Sequence, residues 1–238
     1  MKQYEQVIAV MKNNGGYATL GFLNHKVDVS KWSTKTPFAT IRRIVQDERF
    51  FFKIKPGLWA LKESEHEILE LLQIQDESGK ENQEKFTHSY YQGLLLEIGN
   101  LKGYKTHVPS QDKNKKFLEK PLYEIATTDT ILGFSYPEIV NRAKTIDVVW
   151  FNDRRMPYSF FEVEHSTDIQ NSLLKFFDLQ DFHSNFYIVS SIDRKREFEK
   201  KLDYSAFTQI RERVKFIDYE FVSTMHTKTS ELVALGNL

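Results

Sequence analysis

Residues 146–165 read IDVVWFNDRRMPYSFFEVEH, two apolar runs separated by a polar spacer that contains a proline. The β-branched and aromatic content of each run predicts a strand on either side of the spacer. Acidic residues interrupt these strands at Asp147, Glu162 and Glu164. Because residues i and i+2 of a strand point to the same face, we expect Glu162 and Glu164 to lie on one side of the sheet, about 7 Å apart.

These carboxylates predict a metal site. Two carboxylates within an apolar strand repel each other and lose their hydration, which costs free energy unless a cation or a proton compensates. We expect Asp147 to complete an oxygen-rich site of the kind that Mg²⁺ prefers, with Mn²⁺ as a substitute. Such a site suits phosphodiester hydrolysis, because a divalent ion neutralises charge on the phosphate and acidifies water. Glu164 is expected to orient that water or to accept its proton.

The chain from residue 86 onward alternates helix and strand signals. The predicted elements are a helix over 87–102, strands over 104–108, 145–151 and 158–165, a helix over 168–182, a strand over 185–191, a helix over 193–213 and a strand over 214–222. Residues 110–144 give no clear assignment. This order predicts an α/β domain with a mixed sheet flanked by helices.

Residues 1–62 predict a different arrangement, three short helices followed by a hairpin. Thr36 is the expected N-cap of the third helix, and the proline that follows fits the first helical position. Gly57 suits the positive φ of a tight turn between the two hairpin strands. Three helices followed by a hairpin indicate a winged helix-turn-helix domain. We expect a helical linker over 63–85 and an α/β domain over 86–238.

Charge is distributed unevenly between these parts. The 33 Lys and Arg residues balance the 33 Asp and Glu residues, but residues 1–62 carry 11 basic side chains and only 4 acidic ones. This surplus predicts binding to a polyanion, and we expect double-stranded DNA. A basic domain that contacts other proteins is the alternative. The candidate DNA-binding residues are Lys35, Thr40, Arg42, Arg43, Gln46, Lys53 and Lys55. A further basic cluster, Lys113, Lys115 and Lys116, is either a DNA contact or a solvated loop.

Several classes of protein are excluded by composition and motif. The chain has no cysteine, which rules out disulfide scaffolds, thiolate zinc sites and cysteine nucleophiles. It lacks the glycine-rich phosphate loop, the dinucleotide fingerprint, the serine-hydrolase elbow and the His-Glu-x-x-His signature. The N-terminus does not have the layout of a secretory signal, and no apolar run approaches the ~20 residues of a membrane span. We therefore expect a cytoplasmic protein without a membrane anchor.

The N-terminal motifs resemble a known class of winged helix. Lys35-Thr36-Pro37, Thr40-Ile41 and the run KPGLWAL at 55–61 are similar to the HARE-HTH type, which occurs beside restriction nucleases and in chromatin proteins. The resemblance covers about a quarter of the chain. It implies that the helix after Thr36 enters a major groove and that the hairpin lies along phosphates.

The acidic motif resembles the PD-(D/E)XK restriction-endonuclease superfamily over about residues 86–200. The resemblance implies that Asp147 and Glu162 hold the metal, that the Val163 carbonyl adds a ligand, and that Glu97 of the preceding helix contributes directly or through water. Glu164 stands where the family usually has lysine. Members with glutamate at that position are known to be active.

Two further residues are candidates for roles in this site. Lys175, in the helix that follows the acidic strand, is a candidate for a lysine that has moved from the usual motif position; an ordinary exposed lysine is the alternative. His165 is a candidate phosphate or metal contact, although a histidine directly after a strand is more often a hydrogen-bonded boundary residue.

These observations together predict a Mg²⁺-dependent DNA endonuclease of the restriction or phage-defence type. Cleavage of both strands needs two active sites or two successive events, so we expect a homodimer. One alternative is a catalytically inactive DNA-binding regulator with a nuclease fold. The other is a nuclease that acts on RNA or on single strands.

Overall fold

The helices and strands group into two compact units. The computed structural model describes residues 2–74, 79–166 and 168–236. The first unit comprises Met1–Asn82 and Ser223–Leu238, and the second comprises Gln83–Val222. The domain boundaries predicted at 62 and 86 stay a prediction, and residues 75–78 of the predicted linker lie outside the described residues.

The first unit is built from short helices and a three-stranded antiparallel sheet. Its elements are, in chain order, α1 (Gln3–Lys12), β1 (Tyr17–Thr19), α2 (Leu20–Lys26), α3 (Pro37–Val45), β2 (Phe51–Lys55), β3 (Leu58–Leu61) and α4 (Glu65–Leu71). The sheet order is β1-β3-β2. The predicted hairpin is present, and Gly57 adopts the expected positive φ of 77° at its turn.

Local sequence explains most of this unit. Thr19 caps α2, since its side chain accepts a hydrogen bond from the Phe22 N–H at 3.1 Å. Ile41 and Val45, one helical turn apart, are fully buried and set the inner face of α3. Thr36 is the N-cap residue of α3 and the helix begins at Pro37, as predicted, although the Thr36 side chain makes no capping hydrogen bond. The short strand β1, which the sequence pattern does not predict, adds to the hairpin by pairing with β3.

The remaining elements build the second unit, except for parts of two helices. They are α5 (Gly79–Leu101), β4 (Lys105–His107), β5 (Lys116–Phe117), β6 (Lys120–Pro121), α6 (Leu122–Ile125), α7 (Pro137–Ala143), β7 (Val148–Phe151), β8 (Pro157–Glu164), α8 (Ile169–Phe177), β9 (Asn185–Ser190), α9 (Lys195–Leu202), β10 (Val214–Asp218) and α10 (Tyr219–Gly236). Of these, α5 up to Asn82 and α10 from Ser223 onward belong to the first unit. Five strands make a sheet in the order β10-β9-β8-β7-β4. The predicted mixed sheet with flanking helices is confirmed.

Strand β8 is the centre of this sheet. It runs antiparallel to β7 and parallel to β9, with Val148 opposite Phe161 and Glu162 opposite Ile188. The register of β7 and β8, continued by one residue, places Asp147 beside Glu162. The core on one side of the sheet contains buried aromatic and aliphatic side chains from β8, α8 and β9, including Phe160, Leu173, Phe176 and Phe186.

Two predicted elements near the C-terminus are wrong in extent. The helix predicted over 193–213 is confined to α9, where Arg211 donates hydrogen bonds to the Leu202 and Asp203 carbonyls at the helix end. The strand predicted to reach residue 222 stops at Asp218. There the Asp218 carboxylate accepts a hydrogen bond from the Phe221 N–H at 2.7 Å, and an acceptor at this position starts a helix.

None of the helices in the described part of the chain is both long enough and apolar enough to cross a bilayer.

Candidate metal centre and catalytic cleft

The predicted acidic residues meet in one cleft of the second unit. The cleft has a volume of about 430 Å³. Its lining includes Asp147, Glu162, Glu164 and Lys175, together with Val163. Three of them, Glu162, Val163 and Glu164, form the end of β8, Asp147 directly precedes β7, and Lys175 belongs to α8.

The backbone of β8 holds the first acid in place. The Asp147 Oδ2 accepts a hydrogen bond from the Val163 N–H at 2.7 Å. Asp147 is 7% exposed, directly precedes β7, and has its backbone carbonyl 3.3 Å from the Gln92 side-chain amide. One oxygen of this carboxylate is therefore fixed by the sheet, while Asp147 as a whole still lines the cleft.

The second acid is paired with a lysine. The Lys175 Nζ lies 2.9 Å from both carboxylate oxygens of Glu162 and 3.0 Å from the Thr145 carbonyl. The Glu162 side chain is 3% exposed and the Lys175 side chain 25% exposed. An amine therefore lies at the acidic site, although the position that usually holds lysine in the motif is occupied by Glu164.

Ser172 joins the two glutamates. Its hydroxyl lies 3.1 Å from Glu162 Oε2 and also contacts Glu164 Oε1. Since one hydroxyl reaches both carboxylates, Glu162 and Glu164 share a face, as the strand spacing predicted. Ser172 is fully buried, so it fixes the orientation of both acids.

The rotation of α8 explains why Ser172 and Lys175 face the cleft. Ile169, Leu173 and Phe176 recur at helical spacing and are fully buried against the sheet. This apolar stripe fixes the helix about its axis. Ser172 and Lys175 are three residues apart and lie beside the stripe, so they project together towards the end of β8.

Burial disfavours ionisation of both glutamates. Burial raises the pKa of Glu162 well above its ordinary value, and the negative charge of Asp147 raises it further, while Lys175 acts in the opposite direction. Burial also raises the pKa of Glu164, against the lowering effect of the Ser172 hydrogen bond. The positive charge that the protein supplies therefore does not offset burial, and the pKa values of both glutamates stay above the ordinary value.

Sequence reasoning missed a second group of polar residues in the same cleft. His88 of α5 lies with Nε2 3.5 Å from Asp147 Oδ1 and 3.6 Å from Asp112 Oδ2. Asp112 also contacts the Lys115 Nζ at 2.6 Å and the Gln92 amide at 2.7 Å. The spacing of His88 and Gln92, four residues apart and so on one face of α5, was an available signal, whereas the loop position of Asp112 gave none.

The charges in this group depend on one another. Burial alone would lower the pKa of His88, but the carboxylates of Asp112 and Asp147 outweigh burial and raise it to about 9. Burial would raise the pKa of Asp112, but His88, Lys115 and Gln92 reverse that effect and hold it below its ordinary value. Lys115, one residue of the predicted basic cluster, thus lies in the cleft beside an acid.

Two other predicted site residues have different surroundings. His165 lines the cleft, and its Nδ1 lies 3.4 Å from the Tyr219 hydroxyl. Glu97 is not among the described residues that line the cleft. It is nine residues from His88 along α5, which places it about half a turn around the helix from the cleft-facing side.

The predicted DNA-binding residues divide into exposed and inward-facing side chains. Lys35, Arg43, Gln46 and Lys53 are exposed, and Arg42 is half-buried. Lys55 is also half-buried, and burial lowers its pKa.

Thr40, a predicted DNA-binding residue, is buried in the structure. It is 7% exposed and donates a hydrogen bond to the Thr36 carbonyl at 3.1 Å. Its position next to the buried Ile41 turns it towards the interior, which is why it does not belong to the outer face of α3.

One comparison with known proteins identifies a family for the part of the chain that contains the cleft. The family described as the type II restriction enzyme NmeDI C-terminal domain matches residues 70–236, which is more than half of the chain and includes the whole cleft. Comparisons with curated proteins and with solved structures each return no match. The chain therefore belongs to the NmeDI C-terminal domain family of type II restriction enzymes, which indicates a restriction-type endonuclease with DNA as its substrate.

Proposed function

We propose that this protein is a divalent-metal-dependent restriction endonuclease of the PD-(D/E)XK type, which hydrolyses duplex DNA in defence against phage or other foreign DNA. The observation that carries the proposal is the meeting of Asp147, Glu162, Glu164 and Lys175 in one cleft. Family membership supports the reaction class, and the cleft supports the residues that perform it.

The residues of the cleft fit a hard divalent cation. Asp147 and Glu162 offer carboxylate oxygens, and the Val163 carbonyl is adjacent in sequence to Glu162. Burial leaves both glutamates with raised pKa values, so a cation would relieve an electrostatic cost that Lys175 relieves only in part. Mg²⁺ matches this all-oxygen set, and Mn²⁺ accepts the same ligands.

Each side chain has a distinct task in hydrolysis. The chemistry that such an ion supplies is neutralisation of charge on the phosphate and acidification of water. Asp147 is positioned for it by the Val163 N–H, and Glu162 is positioned by Lys175 and Ser172. Glu164, with its raised pKa, is suited to accept a proton from the attacking water.

Lys175 replaces the lysine of the usual motif. Its amine holds Glu162 at 2.9 Å, and its 25% exposed side chain leaves it accessible from the cleft. We propose that it also contacts the scissile phosphate, where a fixed positive charge stabilises the charge that develops during cleavage. His165, also on the cleft wall, is proposed as a further phosphate contact.

The first unit is proposed to be a winged helix that binds duplex DNA. The order of α1, β1, α2, α3 and the β2–β3 hairpin is that of a winged helix-turn-helix domain. Exposed basic side chains lie on α3 and on the hairpin, the two elements that this fold presents to DNA. The basic residues on or next to these elements are Lys35, Arg42, Arg43 and Lys53, with Gln46 beside them.

A second candidate function is an inactive regulator with a nuclease fold. The ion pair between Glu162 and Lys175 favours it, because the lysine already compensates part of the acidic charge. Asp147 and Glu164 still line the cleft, which favours the enzyme.

We propose that cleavage of both strands uses a homodimer, with one cleft for each strand.

The test is metal-dependent cleavage of unmodified and methylated phage DNA, with RNA and single-stranded DNA in parallel. Wild type should cut duplex DNA only with Mg²⁺ or Mn²⁺, and Asp147→Asn and Glu162→Gln should lower the rate by at least 100-fold. Asp193→Asn, an exposed acid elsewhere in this unit, is the matched control. Equal cutting by all four proteins would remove the cleft as the active site, and uncut DNA with retained duplex binding would support the regulator.

A further inference from the structure

A second group of possible ligands lies beside the acidic site. The His88 Nε2, one oxygen of Asp112 and one oxygen of Asp147 all lie within 4.8 Å of one another. Asp112 and Asp147 are buried, and the His88 side chain is 23% exposed. His88, Asp147 and Lys115 line the same cleft, which gives an ion from solvent a route to this position.

The distances within this group do not suit hydrogen bonds. The Nε2 atom lies 3.5 Å from one carboxylate and 3.6 Å from the other, whereas a charge-assisted N–H···O bond is about 2.7–2.9 Å long. Ligand atoms at ~2.1 Å from a tetrahedral ion are ~3.4 Å apart. The observed spacing therefore matches neighbouring ligands of one metal ion better than a hydrogen-bonded pair.

Unsatisfied polar atoms at the same place support this. The buried Nε2 of His88 has no hydrogen-bond partner among the described residues, and neither has the buried Oε1 of Gln92. Gln92 is fully buried, and its amide nitrogen contacts both Asp112 and the Asp147 carbonyl. Buried polar atoms without partners cost free energy, and a cation at His88 removes that cost for its Nε2.

The surrounding hydrogen bonds orient the two carboxylates. Lys115 holds one oxygen of Asp112 at 2.6 Å, and the Val163 N–H holds one oxygen of Asp147 at 2.7 Å. In each carboxylate, the oxygen that these two contacts do not engage is the one nearest to His88, and in Asp112 that oxygen also accepts a hydrogen bond from the Gln92 amide at 2.7 Å. Outer contacts that fix the ligating oxygens are typical of metal centres in proteins.

We propose that His88, Asp112 and Asp147 form a second divalent-cation site, which takes a transition metal such as Mn²⁺, Co²⁺ or Zn²⁺ in preference to Mg²⁺. The preference follows from the imidazole nitrogen, because Mg²⁺ selects oxygen ligands and the transition metals accept nitrogen. The site shares Asp147 with the proposed nuclease centre but does not use Glu162. The second site therefore rests on the proposed function only through the shared ligand Asp147.

The experiment counts bound ions without DNA. Wild type and variants of the full chain are titrated with Mn²⁺, free Mn²⁺ is measured by electron paramagnetic resonance, and nitrogen coordination is detected by pulsed measurements on the bound ion. Wild type should bind two Mn²⁺ with a nitrogen signal. His88→Ala and Asp112→Asn should bind one without that signal, and Glu162→Gln should keep the signal while its other ion binds at least 10-fold more weakly.

The controls separate the possible failures. His183→Ala removes an exposed histidine of the same unit and should behave as wild type, while His88→Gln and circular dichroism show whether loss of the imidazole disturbs folding. Equal Mn²⁺ binding and an equal nitrogen signal in wild type and His88→Ala would overturn the second site and leave the nuclease proposal standing. If wild type shows no metal-dependent cleavage but still binds the ion that depends on His88, the nuclease proposal is overturned and the second site stands.

Discussion

Replacement of Lys175 by methionine tests how much charge the acidic cleft can tolerate. Methionine keeps the length and much of the apolar stem but removes the amine that lies 2.9 Å from both oxygens of Glu162. Glu162 would then be a buried carboxylate beside Asp147 and Glu164 without its cationic partner. We expect Lys175→Met to lower the stability of the metal-free protein and to make its stability depend more strongly on Mg²⁺.

The size of the effect follows from the burial of the pair. Exposed ion pairs contribute about 0–1 kcal/mol, and removal of one partner from a buried pair costs about 3–5 kcal/mol. Glu162 is 3% exposed and Lys175 25% exposed, and Glu162 can also take up a proton. An intermediate loss of about 2–3 kcal/mol is therefore expected, which corresponds to roughly 4–12 °C in Tm for a chain of this size.

The assay is thermal unfolding at pH 7.5 in EDTA and in 10 mM Mg²⁺. Mg²⁺ should raise the Tm of Lys175→Met more than that of wild type, because the ion supplies the missing positive charge. Lys200→Met, at an exposed position of α9, is the matched control. The double variant Lys175→Met with Glu162→Gln should be more stable than Lys175→Met alone. A Lys175→Met protein as stable as wild type in EDTA would refute this reasoning.

Three further outcomes are expected. Arg43→Ala, on the exposed face of α3, should weaken duplex binding and reduce the slope of log K against log salt by about 0.9, measured by fluorescence anisotropy; Thr40→Val, at a buried position, should leave that slope unchanged, and the opposite ranking would contradict the proposed interface. Gly99→Ala should cost about 1–3 kcal/mol in thermal unfolding, because its Cβ would lie 2.7 Å from Trp150 Nε1; an unchanged Tm would show that the helix can move away. In EDTA, wild-type stability should fall as pH rises through the raised pKa of Glu162. The reason is that the folded chain binds the proton on Glu162 more tightly than the unfolded chain does, and the stabilisation that results is complete only below the ordinary glutamate pKa. Glu162→Gln should flatten the plot of stability against pH, and a plot parallel to that of wild type would exclude Glu162 as its source.

The acidic strand was predictable because its pattern conflicts with a simple core strand. Glu162 and Glu164 alternate with apolar residues, so the period of two fixes their common face before any tertiary contact is known. The order of helices and strands likewise predicted the mixed sheet. Lys175 could be proposed because it lies in the helix that follows the acidic strand and the usual motif position holds Glu164 instead of lysine.

The second polar group could not be predicted in the same way. His88 and Asp112 meet through tertiary packing across 24 positions of sequence, and the segment around Asp112 has no periodic pattern. Glu97 illustrates the reverse case. An acid on the correct helix was expected at the cleft, but the rotation of α5 brings His88 and Gln92 to the acidic site instead. The burial of Thr40 was equally hard to foresee, because adjacent residues of the short helix α3 point in different directions, with Thr40 buried and Arg43 exposed.

The central claim is that Asp147 and Glu162 bind one divalent cation, with Glu164 next to it. The most direct measurement is anomalous diffraction from crystals grown with Mn²⁺. The account predicts a peak within about 2.0–2.6 Å of a carboxylate oxygen of both Asp147 and Glu162, and its loss in crystals of Asp147→Asn. A map in which Glu162 remains paired with Lys175 and no peak lies between the two acids would contradict it.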